Sequence, residues 1–266
     1  MRNVVVSSIE YAGRKGISLG STIRDMFSLL MDALGAIMRR GRFQQSSFIS
    51  QISRQILYTG VEALWLVGII AFLAGVTIVI QATTNMPRFG VTEYFGNILV
   101  IAVVRELGPF FTCFVVIGRS GAALAAHIGT MRVNKEVAAL EVMGVNPVHF
   151  LVMPALVGMV LSIICLNVYF DLVAIIGGLL VAKMSVHFPF VIFLMKVVSA
   201  LTWQDIFISF FKSILFGVII AIVACHYGLV VKNIRGVPQA AIKAVVVSMA
   251  VTIVVNIIAT VCFYAR

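Results

Sequence analysis

Residues 105–147 read RELGPFFTCFVVIGRSGAALAAHIGTMRVNKEVAALEVMGVNP. The stretch opens on a charged pair, Arg105 and Glu106, set deep in an apolar run. It continues through a ridge of glycine and alanine and ends in a polar, helix-prone segment closed by Gly144 and Pro147. Ionised groups in hydrocarbon are expensive and mark pathways or functional sites. A short polar helix between two apolar runs can instead be offered to a soluble partner. One stretch thus carries a candidate path through a membrane and a candidate contact surface outside it.

The remaining composition agrees with a membrane setting. The 266 residues are 61% hydrophobic and 11% charged, with mean hydropathy +1.10, where soluble domains carry roughly 25% charged residues. This is the composition of an all-α, multi-pass integral membrane protein. The net charge of +10 does not point to nucleic acid: the cations lie mainly between apolar runs, as the positive-inside rule requires, without a basic, aromatic-interleaved patch. Cys113, Cys165, Cys225 and Cys262 each stand alone in an apolar segment, so neither a disulfide framework nor a metal site is indicated. The N-terminal MRNVVVSSIEYAGRKG has no apolar core long enough for a secretory signal, and insertion is expected from the first span. His127, His149, His187 and His226 lack metal-ligand spacing. No GxxxxGK[ST], HExxH or GxSxG motif occurs. The chain reads as no enzyme and as holding no cofactor, so its energy must come from a gradient or another subunit.

Outward from the central stretch, two units emerge. Residues 1–60 form an N-terminal region of cytoplasmic or interfacial helices. Ile23, Met26, Phe27, Leu30, Met31, Leu34 and Ile37 recur at helical spacing, and a second helix is expected over Phe48–Tyr58. Basic flanks suit helices lying in the membrane interface; packing against the bundle is the competing reading. Residues 61–266 form the transmembrane domain. Its spans are expected at Val61–Thr84, Tyr94–Ala126, His149–Ala182, Gln204–Val231 and Ala244–Tyr264. Pro109 should kink the second. The third block exceeds the ~20 residues of an ordinary span. It reads as one long or tilted helix, or as one span running into a partly embedded segment. Lys183–Trp203 is expected at the interface and 232–243 in a loop.

Arg39, Arg40, Arg42 and Arg54 precede the first span, Arg132 and Lys135 separate the second and third, and Lys232, Arg235 and Lys243 separate the fourth and fifth. These regions are expected on the cytoplasmic side, with a cytoplasmic N-terminus and a periplasmic C-terminus.

Neighbours on a helix point about 100° apart, so Arg105 and Glu106 should face a cavity or a neighbouring chain rather than each other. Lys212 lies within a span, and Asp171 within the third block. A buried ion pair, such as Glu106 with Lys212, could simply hold helices together. The alternative is a polar spot in an apolar cavity that meets a charged headgroup. Small residues from Gly118 to Gly129 favour close helix packing, and Arg119 places that helix near the membrane surface. Asn134–Met143 reads as a short helix with a Gly144 C-cap, either solvated or docked on a partner.

Three segments, RQILYTGVEAL at 54–64, VRELGP at 104–109 and GRSGAALAAHIGTMRVNKEVAALEVMGVNP at 118–147, resemble the MlaE/YrbE-type permeases of ABC lipid-transport systems associated with MCE proteins. The resemblance covers about residues 20–264. It implies a homodimeric permease in the bacterial inner membrane, with five spans per chain and a coupling helix at about Arg132–Val145. The implied partners are a cytoplasmic ABC ATPase that binds ATP and Mg, a periplasmic MCE-domain hexamer, a small STAS-type cytoplasmic subunit, and phospholipid. By the same resemblance, Arg105, Glu106 and Lys212 belong near the lipid cavity, with Gln81 and Phe89 near its mouth. Phe89 stands where better-known members carry tyrosine. Arg132, Lys135, Glu136, Glu141, Met143 and Gly144 belong to the ATPase-coupling surface. Two other readings remain at this level: an ion-coupled secondary carrier using Arg105, Glu106, Asp171 and Lys212, and a membrane scaffold for an MCE protein. The lack of an internal repeat weighs against the carrier.

Overall fold

The computed structural model describes residues 22, 24–33, 35, 45–89, 101–185, 195 and 197–264, and among these it is entirely helices and short turns. Five helices are long and apolar enough to cross a membrane. Residues 24–33 form α1. Helix α2 (Gln45–Thr59) passes through one tight turn, Val61–Ala63, into α3 (Leu64–Phe89). Gly60 makes the joint: a Cβ there would lie 2.8 Å from the Ile56 carbonyl oxygen and 3.3 Å from Ser162 Oγ.

The second span combines two wide π-helical turns with two α-helical segments. Ile101–Leu107 leads into α4 (Gly108–Val116), and Ile117–Gly121 leads into α5 (Ala122–Val133). Its expected beginning, 94–100, lies outside the described residues, and it runs on to Val133 rather than ending at Ala126. Pro109 falls in the first turn of α4, where a missing N–H is tolerated. The chain widens ahead of the proline and stays helical.

A short helix, α6 (Glu136–Val142), links this span to the third. After one π-helical turn, Val148–Val152, the third span continues without a break as α7 (Met153–Ser185). That decides for one long helix. At 1.5 Å per residue its 33 residues reach roughly 50 Å, beyond the ~30 Å of hydrocarbon, so a spanning α7 must tilt or project. Asn167 does not interrupt it, because its Nδ2 donates to Ser209 Oγ at 2.8 Å. Of the expected interfacial segment, 186–194 and Lys196 lie outside the described residues, while 197–200 are helical.

Helix α8 (Trp203–Leu229) forms the fourth span, starting from a capping box in which Thr202 and Asp205 satisfy each other's orphan groups. The fifth, α9 (Gly236–Tyr264), begins eight residues before the expected Ala244. Much of the expected loop is therefore helix. Gly236 and Pro238 read as loop residues, yet Pro238 sits in a first turn that needs no N–H from it.

α8 is the central post, packed on α7, α9 and α5, while α3 lies along α7. Burial follows this order: 56% of the most apolar window is buried in the third and fourth spans, but only 17% in the fifth. Glycines bring the backbones of α3 and α7 into close approach. A Cβ on Gly75 would overlap the Ala174 carbonyl, and one on Gly177 would stand 2.8 Å from the Phe72 carbonyl oxygen. The 118–129 ridge packs less tightly through its own glycines: nothing lies within 4 Å of a Cβ on Gly118. There the close approach comes from the facing helix, where a Cβ on Gly228 would meet the Ala125 carbonyl oxygen at 2.9 Å.

Gly75→Leu should therefore separate α3 from α7 and destabilise the fold by roughly 1–3 kcal/mol or more. Gly118→Ala should be neutral within about 0.5 kcal/mol. Thermal unfolding of the solubilised protein measures both, and equal stability of the two variants contradicts this packing.

Candidate functional site

The second span, α8 and α9 bring the intramembrane charges together as two ion pairs. Arg105 and Glu106 are consecutive; Asp205 and Lys212 are seven residues apart on α8, so two turns place them on one face. Arg105 Nε lies 2.5 Å from Asp205 Oδ1, and Lys212 Nζ lies 2.9 Å from Glu106 Oε1. The expected pairing of Glu106 with Lys212 is present. Adjacent residues that cannot neutralise each other each find a partner on the neighbouring helix.

Hydrogen bonds extend the second pair to α9. Lys212 Nζ also donates to Thr260 Oγ1 at 3.0 Å and to the Arg105 carbonyl at 3.3 Å. Thr260 Oγ1 donates to Glu106 Oε1 at 3.0 Å, and Asn256 Nδ2 to Glu106 Oε2 at 3.3 Å. Pro109 removes one donor that the Arg105 carbonyl would otherwise have. An α-helix would pair the Arg105 carbonyl with the N–H of residue 109, which Pro109 lacks. The ammonium reaches that carbonyl. Lys212 has no exposed side-chain surface, whereas the Glu106 side chain is 33% exposed. Glu106 is thus the accessible member of its pair, with Lys212 as the fixed countercharge behind it. Arg105 is partly exposed and Asp205 is buried.

Asp205 escaped the sequence reading because it looks like an ordinary capping residue. Its Oδ2 accepts from the Thr202 N–H and hydroxyl at 3.1 and 2.6 Å, leaving Oδ1 for Arg105. Its place one heptad before Lys212 was the available signal. Gln81 is exposed on α3 and makes no polar contact with this cluster among the described residues; Phe89 is the last residue of α3. An apolar groove of ≈ 260 Å³ lies elsewhere, lined by Trp65, Ile69, Phe72, Tyr169 and Val173. It contains none of the charged residues.

In the second π-helical turn of the second span the Arg119 guanidinium donates to the Tyr58 carbonyl at 3.0 Å and pairs with Glu62. It also lies 5.6 Å from the centre of the Tyr58 ring, within cation–π range. Arg119 therefore fastens the joint between α2 and α3 to the second span.

The short helix is formed locally. Lys135 takes the left-handed conformation, φ 62°, between α5 and α6. At the other end Gly144, φ 75°, permits a Schellman closure: the Gly144 N–H donates to Glu141 O at 3.0 Å and the Val145 N–H to Leu140 O at 2.9 Å. Val137 is buried beneath the helix, and Val142 and Met143 are 89% and 67% exposed. Glu136 and Glu141 are also exposed. Arg132, assigned to the same surface, lies in the last turn of α5, 3.9 Å from Glu141. An exposed pair at that distance contributes little, so both groups remain open to a partner.

Five apolar helices, three of which meet at a cluster of paired charges, define a multi-pass membrane protein. The family model "Permease MlaE" matches residues 52–262, and the chain belongs to that family, as a permease of an ABC transporter. It is 32% identical to a probable ABC transporter permease protein of Rickettsia prowazekii, over 82% of this chain and 84% of the relative. It is 26% identical to the intermembrane phospholipid transport system permease protein MlaE of Haemophilus influenzae, over 91% of this chain and 95% of the relative. It is also 28% identical to protein TRIGALACTOSYLDIACYLGLYCEROL 1, chloroplastic, of Arabidopsis thaliana, over 79% of this chain and 59% of the relative.

The geometry makes the charges interdependent. Glu106→Ala should strand the buried Lys212 ammonium and destabilise the protein by roughly 3–5 kcal/mol, and adding Lys212→Met should recover most of the loss. Thermal or chemical unfolding of both variants tests the pairing; a double variant no more stable than the single one contradicts it.

Proposed function

We propose that this chain is the membrane-embedded half of a lipid pump, working as a homodimer to move phospholipid between the inner membrane and a periplasmic MCE-domain hexamer. A separate cytoplasmic ABC ATPase, binding ATP and Mg, drives the cycle, and a small STAS-type subunit accompanies it. The observation that carries this reading is Glu106, the more exposed carboxylate of a charge cluster set in an apolar bundle. The H. influenzae relative, named for intermembrane phospholipid transport, supports the lipid class.

A single chain has an exposed apolar face on α9, including Val246, Val254, Ile257, Ile258 and Val261. A second copy facing it would enclose a cavity suited to acyl chains. Glu106 and Arg105 would meet the headgroup, with Lys212 fixing the Glu106 rotamer and Gln81 and Phe89 nearer the mouth. The short helix α6 is the coupling element. Its exposed Val142 and Met143 supply an apolar anchor, and Lys135, Glu136, Glu141 and Arg132 supply the polar surround, the usual anatomy of an interface. Gly144 sets the helix's length. With α6 outside the membrane on the motor's side, the loop cations put the N-terminus in the cytoplasm and the C-terminus in the periplasm. ATP-driven closure of the motor would draw the two α6 helices together. Lipid leaves only if the closed state binds it less well than the open one.

Joint replacement Glu136→Lys and Glu141→Lys should lower ATPase co-purification at least tenfold, while the melting temperature and bound phospholipid stay unchanged. Undiminished co-purification rules out α6 as the docking element. The charge-free pair Glu106→Gln/Lys212→Met should fold yet lose bound phospholipid, assayed by mass spectrometry of the extract. Normal lipid occupancy in that variant removes Glu106 from the site.

A further inference from the structure

Beneath the ion pairs, where α7 crosses the second span, two side-chain oxygens without hydrogen-bond partners meet at one backbone position. Asp171 Oδ1 and Asn167 Oδ1 both lie within 3.0 Å of the place that a Cβ on Gly108 would fill. Both atoms are buried and neither has a hydrogen-bond donor. The two residues are one turn apart on α7, the spacing at which side chains on one helix face touch. Glycine at 108 leaves the room in which they converge.

The arrangement is short of a donor. Two buried acceptors beside one backbone position, each without a donor, forfeit their hydration without compensation. An ionised Asp171 would further leave a carboxylate with no cation against it among the described residues. Arg105 pairs with Asp205 and Lys212 with Glu106. Of the other ionisable groups on elements packed against α7, Cys113 on α4 turns its thiol to Thr252 at 3.8 Å. Arg54 and Tyr58 on α2 are exposed, and His226 and Tyr227 occupy the opposite end of α8. Turning the Asn167 amide over would supply a donor to Asp171, but the negative charge would remain unpaired.

We propose that Asp171 is a proton-binding site: it is held as the neutral acid, and its O–H donates to Asn167 Oδ1. The Asn167 amide already donates to Ser209 Oγ at 2.8 Å. The proton thus completes a directed chain from Asp171 through Asn167 to Ser209, latching α7 to α8 across Gly108. Ser209 lies one turn beyond Asp205, so the latch supports the helix face that carries both countercharges. Asp171 acts here as a positioning residue and carries no proton across the membrane. The inference is independent of the transported substrate.

Infrared difference spectroscopy of the full chain in lipid nanodiscs at neutral pH tests it. The wild type should show the carbonyl stretch of a protonated carboxylic acid, and Asp171→Asn should abolish that band completely. Asn167→Ala, which removes the acceptor but keeps the acid, should shift the band to the frequency of a weakly hydrogen-bonded acid. The second variant keeps the test decisive if the first fails to fold. A spectrum in which Asp171→Asn removes only carboxylate absorption overturns the proposal in favour of an ionised Asp171 served by a flipped Asn167 amide or a bridging water. A band that Asn167→Ala leaves unmoved overturns the assigned partner.

Discussion

The fold is arranged around the need to neutralise Glu106 and Lys212 inside an apolar bundle. Lys212 is wholly enclosed, and a lone ammonium in such a place is strongly unfavourable. Its 2.9 Å contact with Glu106 requires the second span and α8 to approach at a defined height. Pro109 contributes by removing one donor from the Arg105 carbonyl, which the same ammonium reaches. The Arg105–Asp205 pair then fixes a second height, two turns along α8. Two pins between two helices set both spacing and rotation, which apolar packing alone specifies loosely.

The remaining elements are fitted to that frame. Gly217 and Gly228 let α8 approach α7 and α5, and Gly75 and Gly177 let α3 approach α7. Arg119 ties the α2–α3 joint to the middle of the same second span. Charges thus stand near the start of this span and at its middle, where Arg119 opens the small-residue ridge of 118–129. The short helix α6 continues directly from this span. The element that holds the ion pairs is also the one that positions the exposed Val142 and Met143.

Much of this was legible in the sequence because its signals are local. Apolar length gave the five spans, and Gly144 marked the end of α6. The positions of Glu106 and Lys212 on separate spans made their pairing foreseeable. Features that depend on distant residues were harder to read. Asp205 resembles a helix cap until Arg105 is known to lie opposite. The glycine contacts between α3 and α7 carry no motif, and the Asn167–Asp171 stretch suggests a break only while Ser209 and Gly108 are out of view. Pro238 misplaced the start of α9 because proline signals a loop and a first helical turn equally well.

The shallow burial of α9 has a thermodynamic consequence. This helix packs on α8 and α5 along one side, yet only 17% of its most apolar window is buried. Asn256 and Thr260 attach it to the Glu106 carboxylate, and Thr252 attaches it to Cys113. A ligand group that donates a hydrogen bond to Glu106 competes with Asn256 and Thr260 of α9 for the same oxygens. Occupancy of the carboxylate and the position of α9 are then linked variables, and each must shift the equilibrium of the other by the same free energy.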